Sequence, residues 1–243
     1  MKQEQFSIDS KHLGRKMNIT VLGHYGFTML TFPSFGDDNR EVIDNGMIAS
    51  IAPAIERGKV RLYCVDSVNF ESWLAEDKEP IERSRRHYEY NNFIEEEMLP
   101  FIFDNCGSPV PIMTCGAAIG AYHAANLFFR RPDIFLGCIA MSGTYNLEHF
   151  TQEYWDENCY FNSPVHYLPN LTDVFWMTYL RARHHIYLLS GSGENEYPDN
   201  ARHLSHILTE KDVPHDLDIW GPEFGHIPES WTRMLPHVID RKL

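Results

Sequence analysis

The segment Gly116-Ala117-Ala118-Ile119-Gly120 follows a short apolar run, Val110 to Thr114, and opens an amphipathic stretch, Ile119 to Arg130. Strand, tight turn and helix in that order, with glycine at both ends of the turn, is the setting of a nucleophile elbow, G-x-S-x-G. The turn holds its central residue in strained backbone geometry and leaves no room for flanking side chains, hence the glycines. The central residue here is Ala118, where serine is expected. A bare G-x-x-x-G also marks close packing between elements, so the motif needs partners elsewhere in the chain.

A nucleophile of this kind works with an acid and a histidine, which follow it in that chain order. After the apolar run Ile186 to Ser190 comes a loop carrying Glu194, Glu196 and Asp199. Any of the three carboxylates could orient a histidine; Asp199 could equally cap the helix that follows. After a further run, Leu217 to Trp220, the loop Gly221 to His226 places a histidine between glycine and the last helix. Imidazole suits a general base because its reference pKa of about 6.5 lets it accept and return a proton near neutrality. With 13 histidines in the chain, a late one is no surprise by itself. The order and context of the three placements together carry the reading.

Other reactive groups offer less. The five cysteines, Cys64, Cys106, Cys115, Cys138 and Cys159, are odd in number and widely spaced, without C-x-x-C. They read as small core residues rather than a disulfide framework or a zinc site. Cys115, three residues before Ala118, lacks an adjacent base to activate it. His203 and His206 share a helix face but have no further ligands nearby, so no metal is expected.

The positioning elements follow from hydrophobic patterning. Strands are expected at Met17 to Leu22, Phe27 to Phe32, Val60 to Val65, Val110 to Thr114, Gly137 to Met141, Ile186 to Ser190 and Leu217 to Trp220. Helices are expected at Ile43 to Ile55, Ile81 to Phe103 with a break near Pro100, Ile119 to Arg130, Asn200 to Lys211, and Ser230 to Ile239 with a disturbance at Pro236. This alternation implies an α/β fold with a mostly parallel sheet and helices on both faces. One domain, residues 1–243, is expected, with the aromatic segment 148–183 inserted as a cap. The 43% hydrophobic and 23% charged residues fit an ordinary globule. A net charge of −13 disfavours nucleic acid and anionic membrane as partners. No run approaches the about 18 apolar residues of a membrane span, and the first residues lack a signal-peptide core, so a cytoplasmic location is the default expectation.

Taken together, these pieces resemble the putative-esterase branch of the α/β-hydrolases, which groups esterase D-like, siderophore esterase-like and feruloyl esterase-like enzymes. The resemblance rests on Phe32-Pro33-Ser34-Phe35-Gly36, Asn45-Gly46-Met47-Ile48, Val65-Asp66-Ser67, Glu71-Ser72-Trp73, the elbow through Asn126, Met141-Ser142-Gly143, and Trp220 to His226. It implies a serine-type hydrolase of carboxylic esters or thioesters that works through an acyl-enzyme without a cofactor, on a small-molecule ester. It assigns His226 as base and favours Glu196 as acid, with Glu194 as runner-up. Backbone amides of Ile119 and Phe35 would form the oxyanion hole, and Trp73, Trp155 and Trp176 would line a substrate pocket. Family members carry serine where this chain has Ala118, so the chain as written is expected to be nearly inactive. An engineered serine-to-alanine variant, favoured because the other parts remain, and a natural non-catalytic binding module both account for it. Acyl transfer to an acceptor other than water is a further reading. The aromatic cap could also serve as an interface between copies of the chain.

Overall fold

The computed structural model describes residues 1–243. Eight strands form one sheet: β1 (Gln3–Ser10), β2 (Arg15–Leu22), β3 (Phe27–Thr31), β4 (Val60–Val65), β5 (Ile112–Ala117), β6 (Phe135–Met141), β7 (His185–Ser190) and β8 (Asp216–Ile219). Their order is β1-β2-β4-β3-β5-β6-β7-β8. β1 and β2 run antiparallel to their neighbours, while β4, β3, β5, β6, β7 and β8 pair in parallel. The C-terminal ends of β5, β6, β7 and β8 therefore open on one edge, where the elbow and the acid and histidine loops all lie.

Alternation along the strands builds two apolar layers. In β4, Tyr63 and Val65 join one layer and Leu62 and Cys64 the other. The helices are α1 (Glu41–Asp44), α2 (Met47–Ser50), α3 (Ala52–Glu56), α4 (Pro80–Phe93), α5 (Leu99–Cys106), α6 (Ile119–Arg130), α7 (Glu148–Thr151), α8 (Glu157–Phe161), α9 (Pro164–Asn170), α10 (Val174–Ala182), α11 (Pro198–Glu210) and α12 (Pro228–Arg241). The first layer is closed by α4, α5, α6, α9, α10 and α11, the second by α1, α2, α3 and α12. Each buried Leu, Ile or Phe in these layers contributes about 1.5–3 kcal/mol relative to exposure.

Several expectations are corrected. The single helix over Ile43 to Ile55 is three short ones, because Gly46 turns left-handed at φ 87° and Ile51 ends the second piece before Pro53. The break near Pro100 is a wide π turn over Ile94–Met98; Pro100 has no N–H for the Glu96 carbonyl, and the wider turn absorbs the mismatch. Pro236 does not end α12, which runs through it because Trp231, Met234, Leu235, Val238 and Ile239 are buried on one face. β1 has no counterpart among the expected strands. It is an edge strand of alternating exposure whose only apolar contributions are the half-buried Phe6 and Ile8.

Candidate active site

β5 delivers Ala118 to the sheet edge and α6 starts at the next residue. Ala118 has φ 50° and ψ −121°, a conformation that costs a non-glycine residue on the order of 1–3 kcal/mol. The glycines are required by close approach. A Cβ on Gly116 would run into the Gly120 backbone, and one on Gly120 would lie 2.5 Å from the Pro33 carbonyl oxygen. The elbow expected from the sequence is thus present in backbone form, with alanine at its apex.

The loops after β7 and β8 are fastened to each other. The Gly193 amide donates to the Phe224 carbonyl at 2.9 Å, and the His226 amide to the Glu194 carbonyl at 2.9 Å. A side chain on Gly191 would collide with the Phe224 carbonyl, so this loop pairing also depends on glycine. The fastening brings His226 Nδ1 to 3.8 Å from Glu196 Oε2. The Glu194 side chain is exposed and plays no part in this pairing; Asp199 instead pairs with Arg202 on α11.

Glu196 is held from several sides. Ser142 Oγ donates to its Oε1 at 2.5 Å and Ser190 Oγ to its Oε2 at 3.0 Å, while the carboxylate itself is 1% exposed. Burial pushes its pKa up, but the pull of His226 and the hydrogen bonds of Ser142 and Ser190 outweigh it and hold the group below the ordinary glutamate value. It therefore stays an anion, the state that can orient and stabilise an imidazolium. The Ser142 hydroxyl in turn accepts from Trp231 Nε1 at 3.0 Å, and Ser142 sits at φ 55° at the end of β6. Sequence reasoning misses Ser142, Ser190 and Trp231 as site residues. Met141-Ser142-Gly143 directly after a strand is the signal that could have found the first of them. Ser142→Ala is expected to cost about 1–3 kcal/mol, since it strips one bond from a buried carboxylate and leaves the Trp231 N–H without an acceptor. Urea unfolding of the two proteins checks this.

Ala118, Ile119 and His226 line one cavity of about 240 Å³, together with Ser34, Phe35, Leu74, Ser142, Phe150 and Tyr197. No lysine or arginine lines it. The three tryptophans expected there are elsewhere. Trp73 is buried behind the elbow, its ring 5.1 Å from that of His87. Trp155 packs on His166, and Trp176 lines a separate cavity of about 310 Å³ with Phe129 and Tyr167. Indole suits core packing as well as a pocket, and these three are drawn to other apolar surfaces. Phe150 is the residue of segment 148–183 that reaches the site cavity; Phe35 and Tyr197 supply its aromatic rim.

The two expected oxyanion donors are both engaged within the chain. The Ile119 amide donates to the Ser34 carbonyl at 3.3 Å. The Phe35 amide donates to the Glu41 carboxylate at 3.0 and 3.3 Å. In this conformation neither amide is free to meet an oxyanion.

A family model described as "Putative esterase" matches residues 39–223, most of the chain. The chain belongs to this esterase family. Ala118 and Glu196 lie inside the matched span, and Ser34 to Gly36 and His226 lie just outside it. Among solved structures, this esterase-family chain is similar to a ferulic acid esterase (18% identity, TM-score 0.74, 98% of this chain and 96% of the other). It is also similar to an S-formylglutathione hydrolase from Agrobacterium tumefaciens (15%, 0.72, 98% and 95%). A third is MPT51 (FbpC1) of Mycobacterium tuberculosis (16%, 0.70, 99% and 97%). At these identities the likeness establishes the α/β-hydrolase fold. No curated protein matches the chain. No helix is long and apolar enough to cross a membrane.

Proposed function

We infer that this chain is the frame of a carboxylic-ester or thioester hydrolase that works through an acyl-enzyme, with alanine at the nucleophile position and very low activity as it stands. The observation that carries the reading is the strained backbone of Ala118 on the rim of a cavity shared with His226, with His226 backed by the buried anion Glu196. A serine hydroxyl at position 118 would attack the acyl carbon. His226 would take the hydroxyl proton and return it to the leaving group, and water would then release the acid. The substrate is a small-molecule ester whose acyl part fits a cavity of about 240 Å³ with no cationic lining. Restoring serine at position 118 and measuring hydrolysis of short p-nitrophenyl esters, with and without His226→Ala, tests the reading.

A second reading is a natural binding module on the esterase frame. The engaged amides of Ile119 and Phe35 favour it, because a site that has lost its nucleophile is free to lose its oxyanion donors too. A folded Ala118→Ser protein that turns over no ester in the panel would favour this alternative.

A further inference from the structure

Three consecutive amides converge on one side chain. The N–H groups of Ser34, Phe35 and Gly36 donate to the Glu41 carboxylate at 3.0, 3.0 and 2.7 Å. Bonds to an ionised acceptor are among the stronger ones a loop can make. In a trans peptide the N–H and the preceding C=O point in opposite directions, and the chain has no cis peptide. The Phe35 N–H faces Glu41, so the Ser34 carbonyl faces the other way, and it is this oxygen that accepts the Ile119 amide at 3.3 Å. Ser34, Phe35, Ala118 and Ile119 all line the same cavity. A carbonyl oxygen therefore stands against the Ile119 amide, where an oxyanion would need a second N–H.

We propose that Glu41 is a positioning residue that latches the Ser34–Phe35 peptide with its carbonyl toward the site, so that the oxyanion hole assembles only when this peptide turns over. Rotation of that single peptide plane would break the Phe35–Glu41 and Ser34–Ile119 bonds. It would leave Glu41 its bonds to Ser34 and Gly36, and it would aim the Phe35 N–H at the place its carbonyl neighbour had filled. The negative charge that develops on a reacting ester oxygen repels the carbonyl and attracts the amide, so the reaction itself favours the turned form. The latch rests on the esterase reading for its consequence, and its geometry is testable apart from it.

The first arm of the test uses Ala118→Ser protein with and without Glu41→Gln. Glutamine keeps one acceptor oxygen, loses the charge and turns an N–H₂ toward the loop amides. The weakened bond to a charged group translates to a rise of about 10- to 100-fold in the rate of labelling by a fluorophosphonate probe and in kcat for p-nitrophenyl acetate. KM is expected to change little. Glu41→Asp retains the charge and should stay near the slow parent. Where the Ala118→Ser protein is labelled or turns over, an unchanged or lower rate in folded Glu41→Gln protein overturns the latch. The second arm needs no activity: ¹⁵N-phenylalanine labelling of the chain with Ala118 in place. The Phe35 amide should be protected from hydrogen exchange and should lose at least about tenfold of that protection in Glu41→Gln, in line with a lost bond to a charged acceptor. Equal protection in both proteins overturns the latch. Lost protection with no probe labelling or turnover in any protein carrying Ala118→Ser retains the latch and overturns the esterase reading.

Discussion

Ala118→Ser is expected to raise ester hydrolysis by about 10³- to 10⁴-fold over the chain as it stands, and a further His226→Ala should return it to the starting level. The upper bound comes from serine triads, where the nucleophile is worth about 10⁶ in kcat. Part of that gain is withheld here. A single missing oxyanion donor costs about 10²- to 10³-fold, and the Phe35 amide is engaged by Glu41. Serine should accept the backbone of position 118 at the same strain alanine already bears, so the substitution should leave folding nearly unchanged. Glu196→Gln in the same background should lower the rate by less than the about 10⁴-fold seen when a tightly bonded triad acid is neutralised, because its contact to His226 is 3.8 Å. Initial rates on acetate, butyrate and octanoate p-nitrophenyl esters decide the matter. Silence across that series in a folded protein would remove the hydrolase reading.

How much of this was legible in the sequence depends on what each residue's type reveals. The elbow was legible because Gly116 and Gly120 answer a steric demand that few other settings make, and the helix Ile119–Arg130 was read to the residue. His226 and the acidic loop are legible from their places after consecutive strands, a matter of chain order, whereas the choice of Glu196 over Glu194 and Asp199 rests on the family resemblance. Glu41 was not, since a side chain that gathers backbone amides leaves no spacing pattern behind. Trp73, Trp155 and Trp176 misled because a large ring serves a core and a pocket equally well. Ser142 carries no comparable signal because no glycine pair frames it, although its φ of 55° places it at a second sharp strand end. The antiparallel edge strand Gln3–Ser10 escaped because an edge strand with one wet face needs few apolar residues.

The stability of the fold is expected to fall steeply below about pH 6.5, the reference pKa of histidine, and the cause lies behind the elbow helix. His87 and His123 are fully buried, with their rings stacked 5.4 Å apart. His87 Nε2 meets the Tyr122 hydroxyl at 3.0 Å and His123 Nε2 meets Asn69 Oδ1 at 2.7 Å, while both Nδ1 atoms lack a partner. Burial first, then electrostatic opposition from a competing proton on His123 and from the Arg130 charge, holds the His87 pKa far below its usual value; burial alone pushes His123 down to about 3. Both rings are therefore neutral in the folded state, and below about 6.5 the unfolded chain binds two protons that the native chain refuses. Each contributes a limiting slope of about 1.4 kcal/mol per pH unit, so the pair should remove about 4 kcal/mol between about pH 7 and about pH 5. That is a large share of the roughly 5–15 kcal/mol that holds a domain together. The carboxylates whose pKa values are lowered, Glu196, Asp133, Asp156 and Glu148, add to the loss only in the more acidic window below their unfolded values. Urea unfolding at about pH 7 and about pH 5 isolates the histidine window. His87→Gln with His123→Gln should flatten the difference by about the amount the pair contributes, even if the double variant is weaker at neutral pH. An unaltered slope would move the cause elsewhere. His123 lies on α6, four residues beyond Ile119, so one of the two buried rings that resist protonation sits on the helix that opens at the elbow.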